Sequence, residues 1–425
     1  MKAAAPVTIA LLCTALLAIA PVLAAQPVAP EAVAAAALRA APVWDGHNDV
    51  PEQLRIRRQN ILAGFDFNDT TGTADAATGT PAMMTDLARL RTGKVGAQFW
   101  SVYVSADLPE PQAVQATLEQ IDVTRRLIGQ YPAWLQLCTD SGCIEAAWKA
   151  GRVASLIGME GGHSIGGSLA VLRQMHALGA RYMTLTHFRN TAWADSATDA
   201  PAHDGLTAFG EQVVREMQRI GMLVDLAHVS DATMADTLAL GGPPVIVSHS
   251  NARAINGHAR NVPDDLLRAI GAAGGIVMVN FYPPYVVETA RQHAAARDGE
   301  QARLMALHRG NPAAAEAALA AWDKANPAPQ GSVTDVADHI DHIAKVAGAG
   351  AVGLGGDLDG VDSTVAGLED AAAYPKLFTE LARRGWTQAA LEKLASGNMM
   401  RVLKAAEAHA AAHRSDPPLE NATTF

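Results

Sequence analysis

Basic clusters, cysteines and long apolar runs are all scarce in this chain, and each scarcity excludes something. Lys and Arg number 33 against 43 Asp and Glu, a formal net charge of −10 over 425 residues, and no block of Lys and Arg occurs. A nucleic-acid or anionic-membrane partner is disfavoured on that ground. Of three cysteines, Cys13 lies in the first apolar run and lacks the small residues that precede a lipidated cysteine. Cys138 and Cys143, in CTDSGC, have no third or fourth cysteine nearby and make a poor zinc knuckle. An oxidising compartment would let them pair across that short turn; two free thiols is the alternative. After the first 25 residues no stretch is apolar enough to span a bilayer.

The opening segment reads as a leader. Lys2 supplies its positive charge, VTIALLCTALLAIAPVLA its apolar core, and Val22 and Ala24 a small-residue cleavage site before Ala25. A retained anchor is the competing reading. The expectation is residues 1–25 as a signal peptide, export to the periplasm or the extracellular space, and no membrane anchor in the mature chain. Residues 26–42 read as a linker or surface helix, and 409–425 as a polar flexible tail.

From residue 43 the chain alternates. Strand-like runs occur at 43–49, 95–104, 153–160, 180–187, 221–228, 243–250, 274–281 and 351–357. Helix-like segments such as SLAVLRQMHALG and GEQVVREMQRIG separate them, several closed by Gly. Such alternation predicts a parallel sheet, and eight repeats favour a closed (β/α)8 TIM-type barrel over 43–408, with a helical insertion near 283–330.

Polar residues gather where the runs end. His47 and Asp49 finish the first, Glu160 the third, His187 the fourth, His228 the fifth, His249 the sixth and Asp357 the eighth. Strand ends in a barrel converge on one face. Residues two apart on a strand share a side, so His47 and Asp49 can aim together. Histidine nitrogen with carboxylate oxygen suits Zn²⁺, with Mn²⁺, Fe²⁺ and Co²⁺ as competitors. The donors exceed what one ion needs, so a carboxylate-bridged pair is expected. Singly, each residue has a plain structural explanation: a hydrogen-bonded histidine, a capping glutamate, an aspartate in a turn. The joint pattern is what departs from chance.

The stretches DGHNDVP, MEGGHSIGG, YMTLTHFRNTAWADS, LVDLAHVS, PVIVSHSNAR, RNVPDD, DVADHIDHIAKVAG, GLGGDLDG and GLEDAAAYP keep one order from 43 to about 403. In that order the sequence resembles the renal (membrane) dipeptidase family, metallopeptidases among the amidohydrolase-like barrels. The resemblance implies zinc-dependent hydrolysis of a dipeptide by a hydroxide bridging two Zn²⁺ per chain. It assigns His47 and Asp49 to one ion, His228 and His249 to the other, and Glu160 to both. It implies that His187 steadies the tetrahedral intermediate, that Arg260 grips the substrate's C-terminal carboxylate, and that Asp357 moves the proton and helps hold the amino group, with Asp359 as second choice. A homodimer is compatible with the family. The polar C-terminal tail departs from the mammalian members, whose lipid-anchor signal it cannot supply.

Two other readings stand beside it. GHSIG at 162–166 matches a nucleophile elbow, which would make Ser164 the nucleophile of a serine hydrolase but leave the strand-end histidines unexplained. An exported barrel kept for a binding or maturation role is the third. His339 and His342 share a helix face and read as packing or hydrogen bonding. Asp225 reads as support behind the ligands. His163 and His258 are expected near the substrate, and Trp193 and Asp195 in a shaped loop.

Overall fold

Nine parallel strands form one sheet: β1 (Val43–Asn48), β2 (Val95–Tyr103), β3 (Leu135–Leu137), β4 (Val153–Glu160), β5 (Ala180–Thr184), β6 (Leu223–Asp225), β7 (Ile246–Val247), β8 (Ile276–Val279) and β9 (Val352–Leu354). The structure is a computed structural model that describes residues 1–7 and 28–421. The expected leader lies outside the described residues apart from its first seven positions. Eight strands close the TIM-type barrel that the alternation predicts. β1 pairs with β9 at Asp45 and Leu354, and β2 pairs with β4 from Ala97 opposite Ala154 to Tyr103 opposite Glu160. The strands are buried along nearly their whole length, which explains their continuous apolar runs.

β3 is an addition to the sequence-based count. It pairs with Val153–Ser155 on the edge of β4 that β5 then takes over from Ile157 to Glu160. After it, Cys138 and Cys143 form a disulfide across the turn into the helix Ser141–Lys149.

Side chains from seven of the strands form a core inside the barrel. Trp44, Phe99, Leu156, Tyr182, Leu223, Ile246 and Met278 cluster with Met399, Val402 and Leu403. The last three belong to the helix Asn398–Ala412, which packs against that core. A wider apolar layer lies between the strands and the surrounding helices. Several of those helices start on a side-chain cap, among them Ser168, Thr207 and Ser230.

The strands stop earlier than their apolar runs. His187, His228 and Asp357 each stand three residues past a strand, and His249 two past β7. Asp49 is the cap of the helix Val50–Arg58 rather than part of β1. Between β8 and β9, helices Glu288–Leu307 and Pro312–Ala325 form a hairpin joined by an Arg297–Asp323 ion pair at 2.8 Å. The last helix continues past the expected boundary at 408, and Leu419 is hydrogen-bonded to both Arg173 and Glu216.

Candidate metal centre

The loops leaving the strands bring the predicted donors into one buried group, from 1% exposed at His47 to 7% at Asp357. Glu160, the last residue of β4, sits at its middle. Its Oε2 lies 3.4 Å from His47 Nε2. Its Oε1 lies 3.1 Å from His228 Nε2, 3.4 Å from His249 Nε2 and 3.6 Å from His187 Nε2. Asp49 Oδ2 approaches His47 Nε2 to 3.2 Å from the other side. His228 Nε2 and His249 Nε2 are 2.9 Å apart. The two oxygens of one carboxylate therefore face two different imidazole sets.

Neighbours aim these rings. His47 Nδ1 is 2.9 Å from the Tyr182 hydroxyl, which turns Nε2 towards Glu160. Gly158 on β4 makes this possible, because a Cβ there would fall 2.0 Å from the Tyr182 ring. His249 Nδ1 is 2.8 Å from Ser248 Oγ, which donates to Asp225 Oδ2 at 2.7 Å. Asp225 thus stands behind the group, as its position in the sequence implied. The left-handed backbone of His228 (φ 65°) and Asp357 (φ 59°) turns each loop at the site. Aspartate and histidine are among the few residues other than glycine that adopt that conformation with any frequency.

These residues fit metal ions. His47 Nε2 and both Asp49 oxygens are buried with no hydrogen-bond partner, a costly arrangement for protein atoms alone. Groups His47, Glu160 and His249; Glu160, His187 and His228; and His47, Asp49 and Asp357 each present ligand atoms within 4.8 Å of one another. The charge points the same way. Burial, then the nearby Asp49 and Glu160 charges, pushes Asp357 up to about 8 despite its contact with His47 and the Asn280 amide. Burial also pushes Glu160 up, but His47, His187 and His228 more than reverse it and hold the carboxyl well below its usual range. Burial first, then Arg260 and His187, keeps His228 well below the ordinary imidazole value. His187, His228 and His249 are neutral imidazoles, while against burial the Tyr182, Glu160 and Asp49 charges push His47 well above its ordinary value; carboxylates that draw a proton onto a buried ring call for cations.

A cavity of about 410 Å³ opens over this group, lined also by Tyr103, Phe188, Tyr282 and Tyr285. His187 lines it, and burial lowers its imidazole to about 4, so the ring is neutral. Arg260 is buried behind two lining residues and is not itself in the lining: its Nη1 donates to Ser250 Oγ at 3.1 Å and its Nη2 to the carbonyl of His249 at 3.2 Å, while Nε has no partner. Its guanidinium lies 5.5 Å from the Tyr285 ring.

The other expectations divide: Asp359, His163 and His258 are corrected, whereas His339, His342 and Asp195 stand as expected. Asp359 does not share a strand with Asp357, since β9 ends at Leu354; it accepts from Met84 N at 2.7 Å, away from the cavity lining. His163 and His258 do not line the cavity: His163 Nε2 meets the Val104 carbonyl at 2.9 Å, and His258 Nδ1 accepts from Arg260 N. Ser164 is wholly buried outside it, which disfavours the elbow reading. His339 and His342 are hydrogen-bonded within the fold, and Asp195 gathers the N–H groups of Ala202, His203 and Gly205. Sequence reasoning missed Glu52 in the lining. Its signal was available: Glu52 lies three residues after Asp49 at the start of a Pro-marked helix.

Solved structures share this architecture. The probable dipeptidase PvdM from Pseudomonas aeruginosa aligns with TM-score 0.75 at 20% identity, over 89% of this chain and 99% of that one. A metallo peptidase from Rhodobacter sphaeroides, liganded with a phosphinate mimic of the dipeptide L-Ala-D-Ala, aligns with TM-score 0.70 at 22% identity, over 86% and 99%. At these identities the likeness establishes the fold. The pattern of the membrane dipeptidase family (peptidase family M19) matches residues 31–417, and the chain belongs to that family.

Proposed function

We propose that the protein is a two-zinc dipeptidase, with His47 and Asp49 holding one ion, His228 and His249 the other, and Glu160 both. One observation carries this reading: Glu160 Oε2 faces His47 at 3.4 Å while Oε1 faces His228 at 3.1 Å and His249 at 3.4 Å. Two bound cations would acidify a water and polarise the scissile carbonyl.

The protein's own groups do the rest. Arg260, with its unpartnered Nε, binds the substrate's C-terminal carboxylate, which matches a planar guanidinium. His187, neutral and on the cavity wall, donates to the oxyanion that forms on the carbonyl. Asp357, oriented by Asn280 Nδ2 at 2.8 Å, takes the proton of the attacking water and delivers it to the leaving amine. The family match supports peptide-bond hydrolysis, and a cavity of about 410 Å³ suits a substrate of two residues. Export to the periplasm or extracellular space is part of the same proposal, and the Cys138–Cys143 disulfide supports it.

Metal analysis combined with a dipeptide assay tests the scheme. Two zinc ions per chain, loss of hydrolysis on chelation and its return on adding zinc are expected. Full turnover by protein free of transition metal would overturn it.

A further inference from the structure

Glu52 is a cavity carboxylate that the metal scheme leaves unused. It occupies the third position of the helix Val50–Arg58, where a glutamate often reaches back to the N–H of the cap residue. That role is closed here, because Asp49 N donates to the Leu358 carbonyl at 3.0 Å. Ion pairing within the helix is closed too. Arg55 binds Glu119, Arg57 binds Gln53 and the Thr73 and Pro81 carbonyls, and Arg58 binds the Ile61 and Ala63 carbonyls. Among the described residues the Glu52 side chain has no hydrogen bond and no ion pair, yet it is half-buried on the cavity wall.

Its place in the cavity gives it a direction. Glu52 lies one helical turn past Asp49, in the lining it shares with Asp49 and Asp357; burial, then the Asp49, Glu160 and Asp357 charges, push its carboxyl up to about 8, so a cation brought against it favours its ionised form. Arg260 is held instead beside His249, whose carbonyl accepts from its Nη2 at 3.2 Å, and 5.5 Å from the Tyr285 ring. A dipeptide whose carboxylate reaches Arg260 presents its amino-terminal residue to the Glu52 wall. Tyr103 also lines the cavity, its ring 4.4 Å from that of His187. Asp357 is assigned to the α-amino group, which leaves Glu52 for the side chain.

We propose that Glu52 selects dipeptides whose amino-terminal residue carries a cationic side chain, of the lysine or arginine kind. The proposal rests on the dipeptidase reading above.

The test compares kcat/KM of the zinc-loaded full chain on Lys-Ala, norleucine-Ala and Glu-Ala. Lys-Ala is expected to exceed norleucine-Ala by about tenfold, the size of one charge-assisted hydrogen bond in a half-buried setting, with the gain mainly in KM. Glu52→Gln should bring that ratio towards one, and Glu52→Lys should invert the order so that Glu-Ala is preferred to Lys-Ala. An inverted preference requires a folded protein, so misfolding cannot imitate it. Hydrolysis without discrimination by the wild type, or an equal fall on every substrate in Glu52→Gln, overturns the assignment and leaves the dipeptidase reading standing. Hydrolysis of none of the three removes both.

Discussion

The Tyr182 hydroxyl lies 2.9 Å from His47 Nδ1, and it reaches there from β5 across a space that Gly158 keeps open. A hydrogen bond to one ring nitrogen fixes which way the other points. Tyr182→Phe keeps the ring that fills the barrel and removes only that bond. Metal affinity is expected to fall about 10- to 100-fold, as with other changes behind a ligand. Titration against a competing chelator reads the loss, and an unchanged circular dichroism spectrum would assign it to the hydroxyl.

Asp225 and Ser248 separate metal binding from stability. Asp225 Oδ1 accepts from Ala227 N at 3.1 Å and Ser248 N at 2.8 Å, and its Oδ2 from the Thr184 and Ser248 hydroxyls. Ser248→Ala frees His249 Nδ1 and leaves most of this network in place. It should weaken metal binding about tenfold with little change in melting temperature. Asp225→Ala strands four buried donors and should cost about 3 kcal/mol or more in denaturant unfolding.

The barrel was legible because parallel strands buried on both faces need continuous apolar runs, and these stand out in VASLIGME and GGIVMVNF. The donors were legible as residue types at the ends of those runs. The geometry beneath them was not. His47 and Asp49 meet because Asp49 caps a helix that turns back on β1, whereas strand alternation had given the same pairing for a different reason. β3 escaped because three residues carry no periodicity. Glu52 escaped because an acid in a first helical turn is ordinarily explained by the helix dipole. Tyr182 gave no signal at all, since its role depends on a missing side chain on a neighbouring strand.

Asp357→Asn preserves shape and acceptance from the Asn280 amide but cannot carry a proton. With Asp357 as the proton carrier, kcat should drop about 10²- to 10⁴-fold. Metal content should stay at the wild-type level, because the assigned ligands are untouched. A variant that loses metal in proportion to activity would move Asp357 from proton transfer to coordination, a role its grouping with His47 and Asp49 makes chemically accessible.

His339 sets an acid limit on stability. It is fully buried, with Nδ1 accepting from Ala252 N at 3.1 Å and Nε2 donating to the Val286 carbonyl at 2.9 Å. Burial lowers its imidazole to about 4, against 6.5 for the ordinary group. Between those values the unfolded chain binds a proton that the folded chain refuses. The contribution is therefore whole above about pH 7 and drains as pH falls through 6.5 towards 4. A proton on Nδ1 would confront the Ala252 N–H, so the loss is specific to this site. It should reach about 3 kcal/mol at the acid end, taking 1.36 kcal/mol per unit. Urea unfolding followed from pH 7.5 to 4.5 in wild type and His339→Gln checks this. Glutamine can keep one of the two bonds and does not titrate, so the variant should start less stable and lose stability more slowly with acid. Parallel curves for the two proteins would locate the acid sensitivity elsewhere.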